Sequence, residues 1–190
     1  MPSDRPPAPP APLPGFTAPA AGFDEPLAML DACHVRVRRT LDLLLRIVER
    51  VEAGRFDAAV RRAASDVLRY FDIAAPQHHE DEEQHIFPRL LAGSDDPDVR
   101  VAVIQLQEDH QAMERQWARL RTSLAGLATG HGEACGPEHA EAARQFAALY
   151  GAHILIEDTV VLPAAAALLD AETLRAMGIE MARRRGAKFP

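Results

Sequence analysis

Residues 77–90 read Gln-His-His-Glu-Asp-Glu-Glu-Gln-His-Ile-Phe-Pro-Arg-Leu, with three histidines and four acidic residues at eight successive positions. Within this stretch His78 is followed four residues later by Glu82 and ten residues later by Pro88. Side chains four apart on a helix lie on one face, one above the other. A histidine and a glutamate at this spacing, turned inward, can form half of a metal site.

A second stretch, residues 153–163, repeats this pattern, because Glu157 follows His153 by four residues and Pro163 follows it by ten. The repeat extends further towards the N-terminus. His34 precedes His78 by 44 residues, and His110 precedes His153 by 43. The chain therefore reads as two helical hairpins, which predicts a four-helix bundle whose core can hold a metal site.

Apolar residues at helical spacing predict an all-α fold, an up-down-up-down four-helix bundle with a short C-terminal fifth helix. A proline inside a helix removes one hydrogen bond, so Pro76 predicts a kink or restart in the second helix, and Pro163 an end or kink in the fourth. We expect the basic end of the fifth helix, residues 183–185, to be a solvated cap. The predicted helices start at Pro26, near Asp57, at Pro97, at Pro137 and at Asp170.

Residues 1–22 contain eight prolines and predict a disordered Pro-rich arm, and residues 23–186 are assigned to the bundle domain. We interpret the arm as a tether, with binding to a protein partner as the alternative.

Composition excludes several classes of function. The net charge of −7 argues against nucleic acid as a partner. There is no apolar run of about 18 residues, so no membrane span is expected. Cys33 and Cys135 form no Cys-x-x-Cys motif, which favours free thiols and a cytoplasmic location.

Seven side chains from all four long helices lie on the predicted inner faces. Buried glutamates with no buried lysine or arginine opposite them need a cation. Imidazole and carboxylate without thiolate favour iron or manganese, and seven ligands exceed the needs of one zinc ion, so two iron ions are predicted, with manganese or another divalent metal as the alternative. The predicted ligands are His34, His78, Glu82, His110, Glu114, His153 and Glu157.

Two choices within this set stay open. His79 and Glu83 have the same spacing as His78 and Glu82, and the position of the proline in the repeat favours the latter pair. In the fourth helix, Glu157 lies about 40° from His153 around the helix axis and Asp158 about 140°, which favours Glu157.

These motifs closely resemble the hemerythrin-like HHE cation-binding family, from Pro26 to about Pro163, and residues 181–186 resemble the tail of its bacterial members. The resemblance implies that Glu82 and Glu157 bridge two irons. It also implies which residues complete each ion: His34 and His78 at one, and His110, Glu114 and His153 at the other.

The oxygen-carrying members have a histidine where Glu114 stands in this chain. They also have an aspartate five residues after the histidine of the fourth helix, which here is Asp158, so the resemblance leaves the choice between Glu157 and Asp158 as the bridging residue open. From the resemblance we expect a non-enzymatic, non-heme diiron protein that binds or senses dioxygen or a related small molecule, such as nitric oxide or peroxide, or that handles iron. The alternative is a diiron oxidase or peroxidase that uses the same residues.

Overall fold

The computed structural model describes residues 21–131 and 136–190, and within these ranges every regular element is helical. The predicted all-α class is therefore confirmed. The five helices are α1 (Pro26–Glu52), α2 (residues 58–93), α3 (Pro97–Ala128), α4 (Pro137–Leu168) and α5 (Ala171–Arg184).

Short polar side chains fix the starts of three helices. Asp57 accepts hydrogen bonds from the backbone N–H groups of Ala59 and Val60, and Asp170 accepts one from Thr173. Asp96 does the same at the start of α3, directly before Pro97. These side chains satisfy backbone donors that have no partner inside the helix, which is why the boundaries match the sequence signals.

Helices α2 and α4 run through their internal prolines without a break. Each contains π-helical turns, Tyr70–Ala74 and Glu82–Ile86 in α2 and Glu157–Val161 in α4. In each turn a backbone N–H bonds to the carbonyl five residues earlier, as Phe87 does to Glu82. Pro163 does not end its helix, because Leu162–Leu168 continues directly from the π-helical turn, and the predicted kink there stays a prediction.

The four long helices are neighbours in a closed cycle. Each of α1, α2 and α3 packs against the next helix in the chain, α1 also packs against α4, and α5 packs on α1. This set of neighbours fits a bundle, and the up-down-up-down order stays a prediction.

Two apolar clusters fill the interior. One contains the aromatic side chains Phe71, Phe146 and Tyr150. The other includes Phe87 and Leu106 together with residues of α5. Between the two clusters lies a layer of buried polar residues, consisting of His34, His78, Glu82, His110, His153 and Glu157.

The C-terminal helix is bound to the histidine-rich part of α2. Asp81, which is fully buried, accepts hydrogen bonds from Arg184 at 2.8 Å and from Arg185 at 3.0 Å. Glu180 of the same helix contacts His85 at 2.8 Å. The prediction of a solvated basic cap is therefore wrong for Arg184 and Arg185, whose guanidinium groups neutralise a buried carboxylate.

Some predictions fall outside the described part of the chain. The Pro-rich arm lies there except for residues 21 and 22, and so does Cys135. Cys33 is buried and free. Among the described helices, Pro137–Leu168 is long and apolar enough to cross a bilayer by length and composition, a test that a core helix also passes. This helix carries the buried side chains of His153 and Glu157.

Candidate metal centre

Six buried side chains form two overlapping groups of possible metal ligands. One group consists of His34, His78, Glu82 and Glu157, and the other of Glu82, His110, His153 and Glu157. Within each group the ligand atoms lie within 4.8 Å of one another. The two glutamates belong to both groups.

The two carboxylates connect the two halves of this cluster, one oxygen to each half. Glu157 places Oε2 3.1 Å from Nε2 of His34 and Oε1 2.9 Å from Nε2 of His153. Glu82 places Oε1 3.5 Å from Nε2 of His78 and Oε2 3.4 Å from Nε2 of His110. This is the geometry expected of carboxylates that bridge two cations.

Several of these atoms are buried without a hydrogen bond to any described residue. They are Nε2 of His34, Nδ1 of His78, Oε2 of Glu82 and both carboxylate oxygens of Glu157. The ring nitrogens of His110 and His153 also point at each other at 3.2 Å. Buried polar atoms without partners are costly. Cations in the cluster would satisfy all of them except Nδ1 of His78, so the residues present fit a metal centre.

Further carboxylates contact three of the four histidines at Nδ1, the ring nitrogen that points away from the cluster. Nδ1 of His34 lies 2.6 Å from Asp158, and Nδ1 of His110 lies 3.0 Å from Glu83. Nδ1 of His153 lies 3.4 Å from Asp109. Such contacts fix the tautomer and direct Nε2 towards the cluster.

A polar group in turn holds each supporting carboxylate. Arg38 donates to Asp158 at 2.6 Å, Gln107 donates to Glu83 at 3.1 Å, and Gln105 donates to Asp109 at 2.8 Å. His78 differs from the other three histidines, because its Nδ1 has no such support among the described residues.

Burial and close contact shift the protonation of the cluster. Burial lowers the pKa of His78 to about 3, so this imidazole is neutral and can act as a ligand. Burial, and next the charge of Glu157, holds the pKa of Glu82 well above its usual range. Burial would also raise the pKa of Glu157, but the closeness of His153 and His34 outweighs it and holds the pKa well below its usual range. A bound cation would favour the ionised carboxylate and so oppose the raised pKa of Glu82.

The structure brings together six of the seven predicted ligands and leaves Glu114 apart. Its side chain is exposed and lines a cavity beside the cluster. Glu114 lies four residues after His110 on α3, and Met113 takes the buried position next to it. Its role as a ligand stays a prediction.

The alternative residues also have definite places. His79 stacks on the ring of His110 with ring centroids 4.0 Å apart, and Glu83 contacts His110 from behind. Asp158 contacts the outer nitrogen of His34, while Glu157 points into the cluster. The supporting roles of Asp109 and Glu83 were missed from sequence, although each carboxylate lies next to a predicted ligand in the chain, which is the available signal.

An interior that holds histidines from four helices and carboxylates from two has the chemistry of a cation site. The chain belongs to the hemerythrin HHE cation-binding domain family, whose model matches residues 25–165. It is also 30% identical, over 168 residues, to an uncharacterised protein of Haemophilus influenzae, in a match that covers 88% of this chain and 94% of that protein.

Proposed function

We propose that the chain holds two iron ions in the buried cluster and uses them to bind or sense dioxygen or a related small molecule, such as nitric oxide or peroxide, or to handle iron. One ion would be held by His34 and His78, and the other by His110 and His153. Glu82 and Glu157 would bridge them. The observation that carries the proposal is the placement of both glutamates, each with one oxygen towards each histidine pair.

The donor set supports iron over zinc. Four imidazoles and two carboxylates, without thiolate, suit iron or manganese, and the shared carboxylates suit a pair of ions. Iron ions, when bound, would supply the electrons for chemistry with dioxygen. The protein's own contribution is to exclude bulk water from the site, since these six side chains are at most 7% exposed, and to fix the imidazoles through their supporting carboxylates.

The test is an anaerobic titration of the metal-free chain with ferrous iron, followed by optical spectra under nitrogen and under air. We expect saturation at two ions per chain and a spectrum that changes on exposure to air. Saturation at one ion, or no tight binding, would refute the diiron proposal. Metal analysis of the protein as isolated would identify the native metal, with manganese as the main alternative.

A second candidate is a diiron oxidase or peroxidase that uses the same residues. It is favoured by one observation, a cavity of about 470 Å³ beside His110, which is much larger than a diatomic ligand requires. Steady-state consumption of peroxide or of ferrous iron would support the enzyme. A single stoichiometric oxidation without turnover would support the binding protein. In either case we propose that the chain works in the cytoplasm.

A further inference from the structure

The cavity beside His110 opens to the protein surface and touches the buried cluster at this one residue. His110 forms part of its wall, and at 7% exposure it is the most exposed of the six clustered residues. The exposed residues Gln111 and Glu114 line its outer part. Any cation that binds in the cluster must reach side chains that are otherwise buried, and this cavity provides an opening to one of them.

The wall of the cavity is acidic, and the described residues that form it include no lysine or arginine. Its carboxylates are Glu80, Glu83 and Glu114. Glu80 is neutralised in part by Arg184 at 3.3 Å, and Glu83 contacts His110. Glu114 forms no hydrogen bond or ion pair with any residue in the ranges 21–131 and 136–190, so no side chain in these ranges pairs with its charge. Of the three carboxylates in the wall, Glu114 is therefore the one best placed to attract a cation.

A second imidazole lies between the outer wall and the cluster. The His79 ring stacks on His110 and lies 6.1 Å from the ring of His153, measured between ring centroids. The Tyr150 hydroxyl lies 3.3 Å from its Nε2 and holds the ring in place. His79 belongs to neither ligand group. Its position suits a transient ligand for a cation that moves from the cavity to the cluster.

We infer that this cavity is the route by which a divalent cation enters the cluster, with Glu114 as the first contact and His79 as an intermediate ligand. The inference rests on the proposed function, because it requires a cluster that binds cations. A negative wall raises the local concentration of cations and the rate of their capture. Carboxylate followed by imidazole replaces the hydration shell of the ion in steps, which avoids complete desolvation at once.

A third group of possible ligands consists of exposed Asp31 together with His34 and Asp158, and it offers a competing point of entry for a cation. There the positive charge of Arg38 is 2.6 Å from Asp158 and opposes the approach of a cation. Asp31 is thus a matched control for Glu114, since both are exposed carboxylates near a clustered histidine.

The experiment is stopped-flow mixing of the metal-free full chain with Co²⁺, whose absorbance reports occupation of the cluster. We expect Glu114→Gln to slow loading about threefold and Glu114→Lys about tenfold, with both effects reduced at high salt. His79→Gln should also slow loading. All three variants should reach the same final ratio of two ions per chain, and Asp31→Asn should load at the wild-type rate.

Several results would overturn the inference. Equal loading rates in wild type and both Glu114 variants would exclude this route, and slower loading in Asp31→Asn alone would place the entrance at His34. A lower final ratio in Glu114→Gln would make Glu114 a ligand. Failure of the wild type to bind two ions would instead refute the proposed function itself, and the inference with it.

Discussion

The two halves of the cluster share their carboxylates but differ in their surroundings. The half with His34 and His78 is at most 2% exposed, and Asp158 is fixed beside it by the charge of Arg38. The half with His110 and His153 adjoins the cavity, and its supporting carboxylates are held by neutral glutamine side chains. With two ions bound as proposed, the first half would be closed and would retain its ion, and the second half would be open to ligands from solution.

The largest effect is expected from a residue that both halves share. Glu157→Gln should remove both ions, because one oxygen of Glu157 serves each histidine pair. Changes to supporting residues weaken metal affinity about 10–100-fold, and loss of a bridging ligand should exceed this. The measurement is the iron content after dialysis against buffer, with Glu141→Gln, an exposed site on the same helix, as the control. Retention of one ion would show that the halves are not linked through Glu157.

Removal of one histidine should separate the halves. His78→Ala and His110→Ala should each retain one ion per chain, while His79→Ala retains two. The remaining ion should be lost to a chelator faster in His78→Ala, where it occupies the half beside the cavity, than in His110→Ala. Titration and chelator kinetics measure this. If His79→Ala lost an ion and His78→Ala did not, the ligand pair in α2 would be shifted by one residue.

The supporting carboxylates provide a finer comparison. Asp158→Asn should weaken binding in the closed half about 10–100-fold, and Asp109→Asn should act in the same range on the open half. Of the two, Asp158→Asn should have the larger effect, because the contact with His34 is 2.6 Å and that of Asp109 with His153 is 3.4 Å. Two-step competition titrations would resolve the two affinities. An equal loss at both steps in each variant would contradict the independence of the halves.

The smallest effect concerns the support of α2 by the C-terminal helix. Hydrogen bonding with Arg184 lowers the pKa of Glu180 from 4.5 to about 2. Because the pKa is lower in the folded protein, this interaction stabilises the fold above pH 4.5 and is lost as the pH falls from 4.5 towards 2. Allowing for partial exposure, the loss should be about 1–2 kcal/mol. Urea unfolding of the metal-free protein at several pH values would measure it.

Glu180→Gln is the matched variant for this measurement. It should be less stable than wild type at pH 6 and approach wild type near pH 2. A difference that does not change with pH would show that the charge of Glu180 contributes nothing to the docking of α5.

The sequence predicts the helix starts well, because caps and prolines act locally, as at Asp57 and Asp170. It also predicts the six side chains that cluster in the interior, because the repeat places His78 and His153 at equivalent positions. It does not predict the place of Glu114. A four-residue step turns a side chain about 40° around the axis, and only the packing of neighbouring helices decides whether that turn leads inward or outward. In α2 and α4 it leads to the cluster, and in α3 to the cavity wall.

The paired arginines Arg184 and Arg185 are a second case that composition alone does not settle. A basic helix end is usually solvated, and its partner Asp81 lies more than a hundred positions earlier in the chain. Burial raises the pKa of Asp81, and the two guanidinium groups act against that shift. Only the folded structure shows that Asp81 is buried and that the two arginines compensate its charge.

The π turns determine which residues of α2 and α4 face the interior. His78, Glu82, Ile86 and Leu90 are all buried at intervals of four, and so are His153, Glu157, Val161 and Ala165. In an uninterrupted α-helix, steps of four drift about 40° each, so the last member of each series would have rotated about 120° away from the first. One additional residue in the turn resets the phase and keeps the whole series on one side. Deletion of a single residue between Glu83 and Ile86 would replace the π turn by a regular α-helical turn and keep this phase, because Leu90 would then lie about 20° from His78 around the helix axis. Closing the π turn without a deletion would instead carry Leu90 about 120° away from His78 and out of the core.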